Sequence, residues 1–360
     1  MRDLVLFMPS IEVGGVEKNL FLIANYLVRK GIKVKLITSS KKYTKKLNIN
    51  IKIISINNNF FLKRKKYVKF FFCLILLFLE FCKNKQIVVF AFQANIYAVI
   101  LCKLLRVKII TRSNTSPKGW SQNFFKKKIY KFIIKFSDLI IVNSLVFQRQ
   151  MRNIFGVKTK LIYNPLNKEE ILQSKKINKF NNSKLNIINV ARFTEQKDHL
   201  TLLRAFKLLI KKNNKAFLII IGRGYEESNI KNFIKENKLK KNVKLITNVQ
   251  NPYGYIKCAN IFVLTSKYEG LPNVLLEAML LKKYIISTDC PTGPKEILNN
   301  GKYGDLVKVG DYKKIYNLLN TYKTRKNIIS NQVKRAYLSL KRYDFKTNCD
   351  EYYNSIKKFL

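Results

Sequence analysis

Two glutamates stand in the stretch YEGLPNVLLEAM (268–279), Glu269 just before an apolar run and Glu277 inside it. A carboxylate in apolar surroundings has to be paired, because burying it alone is costly. No basic side chain lies between the two, which makes a ligand one candidate partner. The preceding ANIFVLTS reads as a strand and KYEG as the loop at its carboxyl end, while Pro272 suits the first turn of a following helix. The amides of Gly270, Leu271 and that first turn then point out of the helix end, where an anion is readily held. Glu277 falls about 5 residues into the helix, roughly 7.5 Å along its axis. Phosphate-binding amides would thus lie between two carboxylates that each accept hydroxyl hydrogen bonds. That layout suits a diphosphate with a hydroxylated ring on either side. A plain turn glutamate and a surface helix residue would give the same spacing, so spacing alone leaves both readings open.

A second group strengthens the ligand reading. In VARFTEQKDHLTLLRAF (190–206), Arg192 falls just past a strand and Lys197 five residues on, before a helix. Both are expected at the same carboxyl edge as the YEGLPN loop. Two cations over a helix-terminus anion site can neutralise a diphosphate leaving group, and such charge matters most in the transition state. Against this stands the abundance of cations in the chain, most of which must be solvated surface.

The elements that would position these residues alternate along the whole chain. Apolar strand patterns at 3–8, 33–38, 51–56, 87–92, 107–112 and 138–144 are interleaved with helical patterns, among them GVEKNLFLIANYLVRKG (15–31). A polar stretch, KEEILQSKKINKFNNSK, reads as a linker. The pattern then restarts with strands at 185–191, 216–222, 243–247, 261–266 and 283–288. This order predicts parallel sheets with helical crossovers. Two doubly wound α/β domains facing a central cleft follow, with ligands at the carboxyl ends of the strands.

The two charged segments together resemble the family 4 glycosyltransferases, retaining enzymes of the GT-B fold. Glu269 and Glu277 match that family's Glu–seven residues–Glu motif, and Arg192 and Lys197 its basic pair. VGGVEKNL (13–20), VNS (142–144), YNPLN (163–167) and IIIGRG (219–224) extend the likeness over most of the chain. The resemblance implies a Rossmann-like acceptor-binding domain over 1–166, a linker over 167–184 and a Rossmann-like donor-binding domain over 185–335. A C-terminal helix within 336–360 is expected to pack back toward the first domain. It implies that Glu269 approaches the donor sugar, Glu277 the ribose, and Arg192 and Lys197 the diphosphate. Gly15, Gly270 and Leu271 join the donor side, with Gly14 free to approach donor phosphates or acceptor. STDCPTGPKEIL (287–298) is shared with members that build bacterial surface glycans. The implied donor is a nucleotide sugar, a UDP-linked hexose or N-acetylhexosamine, and the acceptor is lipid-linked or a surface polysaccharide.

One departure stands out. Many members carry a histidine near the reacting centre of the first domain, where this chain reads TRSNTS (111–116). That leaves Arg112 and Asn114 as acceptor-side candidates. The sole histidine, His199, belongs to the second domain and reads as a packing or surface residue. Front-face retaining transfer needs no such group, because the departing phosphate can take the acceptor's proton. No Asp-x-Asp is present, so neither a metal nor another cofactor is expected.

The charge raises the question of partners. The chain has 70 basic and 21 acidic residues, a net +49, of which +27 falls in the first 160 positions. Anionic lipid or nucleic acid is the natural partner of such a surface. In FFKKKIYKFIIKF (124–136), Phe125, Ile129, Phe132, Ile133 and Phe136 share one helical stripe with lysines opposite, a pattern that suits an anionic membrane surface. The other reading is a core-facing helix with a solvated basic back. KRKKYVKFFFCLILLFLEFCK (63–83) sets a cationic cluster before an apolar helix expected to bury against the sheet. Its ten-residue apolar run is too short to span a bilayer. MRDLVLFMPSIE has too few apolar residues before Pro9 for a signal-peptide core, and the six cysteines occur singly. Both features fit a cytoplasmic protein at the inner face of the membrane. A basic nucleic-acid-binding protein is the alternative, but no recognition helix or RNA-binding motif is present, and nucleic acid is not the expected partner. Nor do Gly14–Gly15 or Gly222–Gly224 complete a dinucleotide-binding G-x-G-x-x-G.

Overall fold

The computed structural model describes all residues except 1, 12, 13, 43, 57–64, 115–123, 178, 181–184, 213, 214, 248 and 250, and the side chains of residues 124 and 126. Val13, Lys63, Arg64, Thr115, Ser116 and part of the linker stretch therefore lie outside the described residues. The chain divides into two units, Met1–Pro165 with Tyr343–Leu360, and Leu166–Arg342.

In the first unit, strands β1 (Asp3–Phe7), β2 (Val34–Thr38), β3 (Lys52–Ser55), β4 (Ile87–Ala91), β5 (Lys108–Ser113), β6 (Leu139–Val142) and β7 (Lys160–Leu161) form one parallel sheet. Its order is β3-β2-β1-β4-β5-β6-β7. The crossovers are helices α1 (Gly15–Arg29), α2 (Lys66–Lys83), α3 (Asn95–Leu104), α4 (Phe124–Ile134) and α5 (Leu145–Gln150). Alternate strand residues face opposite sides. Leu4, Leu6, Val88 and Phe90 pack with α1 and the C-terminal helix, whereas Val5, Phe7, Val89 and Ala91 pack with α2 and α3. Burial on both faces explains the continuous Val/Ile/Leu/Phe character of these strands.

The second unit opens with α6 (Lys168–Gln173), followed by β8 (Leu185–Val190), α7 (His199–Lys212), β9 (Ala216–Ile221), α8 (Glu227–Glu236), β10 (Val243–Ile246), α9 (Tyr253–Cys258) and β11 (Ile261–Leu264). Then come α10 (Asn273–Leu280), β12 (Tyr284–Thr288), α11 (Pro294–Ile297), β13 (Asp305–Val307), α12 (Tyr312–Asn320) and α13 (Lys326–Ser339). Its sheet is parallel, in the order β10-β9-β8-β11-β12-β13. The last helix, α14 (Phe345–Lys357), returns to the first unit, where Tyr352 and Ile356 join the core beside Leu4 and Leu6.

Two local expectations change, and of the two readings of α4 the structure takes the outward one. The stretch read as a linker contains α6, because the Asn167 side chain accepts from the Glu170 N–H at 3.4 Å and Glu169 and Glu170 suit the positive end of the helix. In α2, Phe70, Cys73 and Leu77 are buried, and Glu80 is paired with the buried Lys35 at 2.6 Å, but Phe71, Phe78 and Leu79 are exposed. The α4 stripe is turned outward. Ile134 is the buried contact, while Phe125, Ile129, Phe132 and Phe136 face solvent together with Lys128, Lys131 and Lys135.

Candidate active site at the carboxyl edge of the second sheet

The order of strands reverses between the parallel neighbours β8 and β11, with β9 and β10 laid down on one side and β12 and β13 on the other. Loops after the two strands therefore diverge, leaving room for a ligand at the carboxyl edge. Arg192 and Lys197 follow β8, and Glu269 follows β11. Residues 72 positions apart are thereby brought into contact: Lys197 Nζ lies 2.5 Å from Glu269 Oε1. The buried glutamate thus has a protein partner, in addition to any ligand.

Glu269 is 8% exposed, so its conformation depends on what surrounds it. The Ser266 hydroxyl donates to the same Oε1 at 2.6 Å. Thr288 in turn donates to the Ser266 carbonyl at 2.6 Å, and Thr292 Oγ1 donates to the Glu269 carbonyl. Gly293 has φ +80°, and a Cβ there would lie 1.9 Å from the Gly270 carbonyl oxygen. The CPTG loop can close on the Glu269–Gly270 backbone only because that residue is glycine. On the other side, Thr265 Oγ1 donates to the Lys197 carbonyl at 3.0 Å, and Gln196 Nε2 to the Tyr268 carbonyl at 2.7 Å. Both members of the ion pair are therefore fixed through backbone as well as side chain.

Glu277 is the fifth residue of α10 and 6% exposed, which rules out a surface helix position. The Tyr253 hydroxyl lies 3.4 Å from its Oε1. Burial, and then Glu277, push the Tyr253 phenol well above its ordinary range, so it remains a donor. Pro272 is the N-cap of α10 rather than its first residue, and Gly270 and Leu271 immediately precede it.

Arg192 is exposed, on a loop tied to the neighbouring strand end: Ala191 N–H donates to Ile221 O at 3.0 Å, and Phe193 N–H to Arg223 O at 2.8 Å. A Cβ on Gly222 would meet the Ala191 carbonyl oxygen at 1.9 Å. The IGRG glycines thus permit close approach of the Arg192 loop. Lys197 ends a short 3₁₀ turn, and Asp198 then caps α7 by accepting from the Thr201 N–H at 3.3 Å.

His199 is buried edge-on against Phe193, with ring centroids 5.2 Å apart. Neither imidazole nitrogen has a hydrogen-bond partner among the described residues. Burial first, and Lys197 second, lower its pKa to about 4, the Ala191 backbone opposing weakly. The fold holds the ring neutral, whereas the unfolded chain protonates it below about 6.5. Stability from this group is complete above pH 6.5 and declines as pH falls toward 4, by roughly 2 kcal/mol between pH 7.5 and 5. Denaturant unfolding at both pH values should show this extra loss in the wild type and not in His199→Leu. Equal slopes in the two proteins would remove the effect.

In the first unit, Gly14 caps α1 with φ −164° and Gly15 is the first helical residue. A Cβ on Gly14 would lie 2.7 Å from Glu17 Oε2, so the side chain of the third helical residue folds back over the cap. Arg112 is 0% exposed at the end of β5. Its Nε donates to the Tyr352 hydroxyl at 2.9 Å, one terminal nitrogen to Asn164 Oδ1 at 2.6 Å and the other to Asn114 Oδ1. Arg112 therefore ties α14 to the sheet, and Asn114 continues the network by donating to the Phe92 carbonyl at 2.9 Å.

Sequence reasoning singled out Arg192, Lys197, Glu269 and Glu277, of which the structure brings Lys197 and Glu269 into contact. It did not name Ser266, Thr288 and Tyr253, which hold the two glutamates and their loops. Their one signal is a hydroxyl at the buried end of an apolar strand or in an apolar helix.

Two family models match the chain, Glycosyltransferase Family 4 over residues 13–170 and Glycosyl transferases group 1 over 170–337. An uncharacterized glycosyltransferase of Methanocaldococcus jannaschii is 30% identical over 72% of this chain and 70% of its own length. The N-acetylgalactosamine-N,N'-diacetylbacillosaminyl-diphospho-undecaprenol 4-alpha-N-acetylgalactosaminyltransferase of Campylobacter jejuni is 27% identical over 89% of this chain and 90% of its own. Among solved structures, Anabaena HepE in complex with UDP and glucose superposes with a TM-score of 0.80, covering 99% of this chain and all of that one at 18% identity.

Proposed function

The chain belongs to the family 4 glycosyltransferases of the GT-B fold, and from that premise we propose a retaining transferase that moves a sugar from a nucleotide donor to a lipid-linked or surface-polysaccharide acceptor. The observation that carries the proposal is the Lys197–Glu269 pair at 2.5 Å, seated where the strand order reverses between β8 and β11 and before α10. Lys197 has three N–H donors, so it can hold Glu269 and a donor phosphate together. Arg192 and the Gly270 and Leu271 amides complete the counter-charge, and no metal is required. Glu269 accepts from hydroxyls of the donor sugar, and Glu277 from those of the ribose.

In the transfer step the bond from the sugar's anomeric carbon to the diphosphate oxygen breaks. An acceptor hydroxyl oxygen bonds to that carbon on the same face, and its proton passes to an oxygen of the departing phosphate. Lys197 and Arg192 stabilise the charge that grows on that leaving group, where preorganised cations contribute most. His199, buried and neutral, has no part in this step.

A UDP-linked hexose or N-acetylhexosamine is the proposed donor, supported by the UDP and glucose held by Anabaena HepE and by the name of the Campylobacter relative. That name also contains a diphospho-undecaprenol, which supports a lipid-linked acceptor. Among the described residues no helix is long and apolar enough to cross a membrane. The proposed location is the inner face of the cytoplasmic membrane, with the first unit's basic surface drawn to anionic lipid.

The test is a screen of nucleotide sugars for protection against thermal unfolding. A donor at 100 times its dissociation constant should add about 2.7 kcal/mol of stability. One nucleotide class should protect selectively; protection by none would remove the donor site.

A further inference from the structure

Half of the large apolar side chains exposed among the described residues sit on three successive helices of the first unit. These are α2, α3 and α4, which pack side by side, α2 on α3 and α3 on α4. On α2, Tyr67, Phe71, Ile75 and Phe78 recur at helical spacing, and Phe71 is 61% exposed. On α3, Tyr97, Ile100 and Leu104 do the same, Leu104 being 77% exposed. On α4, Phe125 and Phe132 are 74% and 65% exposed. The inward sides of α2 and α3 are already used, with Cys73, Leu77, Val99 and Cys102 in the core. Apolar surface of this extent on a monomer marks an interaction site.

We propose that α2, α3 and α4 together form one face that inserts its aromatic and aliphatic side chains into the headgroup region of an anionic phospholipid bilayer. The charge around the face selects this occupant. Lys128 and Lys131 are exposed on α4 between its aromatics, and Lys135 just past its end. Within the three helices the sole acidic residue is Glu80, buried and paired with Lys35. Asp138, just beyond α4, is bonded to Lys103 at 2.8 Å and Lys108 at 3.0 Å. A second copy of the chain would set lysines against lysines. A bilayer surface supplies distributed negative charge above a layer that accepts aromatic rings.

The proposal deepens the membrane-peripheral reading above, in which basic charge and the α4 stripe alone meet the lipid. It recruits the exposed apolar side chains of α2 and α3. Lysine attraction fades with salt, because screening shortens the field to about 3 Å at 1 M. Burial of apolar side chains does not.

The experiment is co-sedimentation of the full chain with phosphatidylglycerol–phosphatidylcholine vesicles at 0.1 M and 1 M salt. The wild type should bind at low salt and keep a bound fraction at high salt. The triple variant Phe71→Ser, Leu104→Ser, Phe132→Ser should lose the salt-resistant fraction at least tenfold while hydrolysing nucleotide sugar at the wild-type rate. These side chains are exposed, so the fold does not depend on them. Reversing Lys128, Lys131 and Lys135 to glutamate should remove mainly the low-salt fraction. Complete release of the wild type at high salt overturns the apolar component. A wild type that ignores vesicles and is dimeric, with the serine variant monomeric, assigns the face to a second copy instead. Binding of RNA in place of vesicles likewise overturns the proposal. Vesicle binding without nucleotide-sugar hydrolysis in the wild type would overturn the transferase reading and leave this one standing.

Discussion

Replacing Lys197 with alanine is expected to lower kcat/KM for sugar transfer by about 10²- to 10³-fold, the loss typical of removing one preorganised charge-stabilising donor. The same change should lower stability. Lys197 and Glu269 have side chains only 14% and 6% exposed, so truncation leaves a buried carboxylate with the Ser266 hydroxyl as its remaining neighbour. Leaving a buried polar group unsatisfied costs about 1–3 kcal/mol, and more when it is charged. A double variant separates the two roles. Combining Lys197→Met with Glu269→Gln removes both charges at once, so stability should recover toward the wild type while transfer remains lost. Arg192→Ala should also reduce turnover, and its loss should be less than additive with that of Lys197→Ala, since the proposal has both cations acting on one leaving group. Effects below about 0.5 kcal/mol in every variant, the size seen at plain surface sites, would return both cations to the surface.

Glu277→Ala should act mainly on binding. Loss of hydrogen bonds to a charged acceptor is worth about 1.5–3 kcal/mol, or roughly 10- to 100-fold in the KM for the nucleotide sugar. Glu269→Gln, by contrast, should lower kcat more than it raises KM, because in the proposed site Glu269 faces the sugar that is being transferred. Steady-state kinetics with a fixed acceptor distinguishes the two patterns. A reversed split, with kcat lost at position 277 and KM raised at position 269, would exchange the assignments. The Tyr253 hydroxyl, 3.4 Å from Glu277, gives a control: Tyr253→Phe should weaken donor binding by less than Glu277→Ala.

Much of this site can be read before folding, and the reason lies in the strands. IINV and IFVL are apolar enough to declare β8 and β11, and parallel order alone puts their carboxyl ends on one edge. Hence Arg192, Lys197, Glu269 and Glu277 could be grouped from sequence. The direct ion pair could not, because nothing local to Glu269 signals a lysine 72 positions away. Arg112 is the harder case. In a chain with 70 basic residues, one arginine gives no local sign of being enclosed, and its partner Tyr352 is 240 positions distant. The α4 helix is left open by the sequence for another reason. Its periodicity reveals a stripe but not which side the sheet covers; in the fold Phe125, Ile129, Phe132 and Phe136 are exposed while Ile134 is buried and Ile133 half-buried against the core. Strand β13 has three residues, too few for any period to show, and is fixed by pairing with β12.

The central claim is retaining transfer from a nucleotide sugar by the site built on Lys197 and Glu269. It is tested most directly by nuclear magnetic resonance of the product formed from an α-linked UDP-sugar and a lipid-diphosphate acceptor, followed together with UDP release. The expected result is an α-configured linkage formed in step with UDP by the wild type, and neither product from the Lys197→Met, Glu269→Gln variant. A β-configured linkage, or undiminished transfer by that variant, would contradict it.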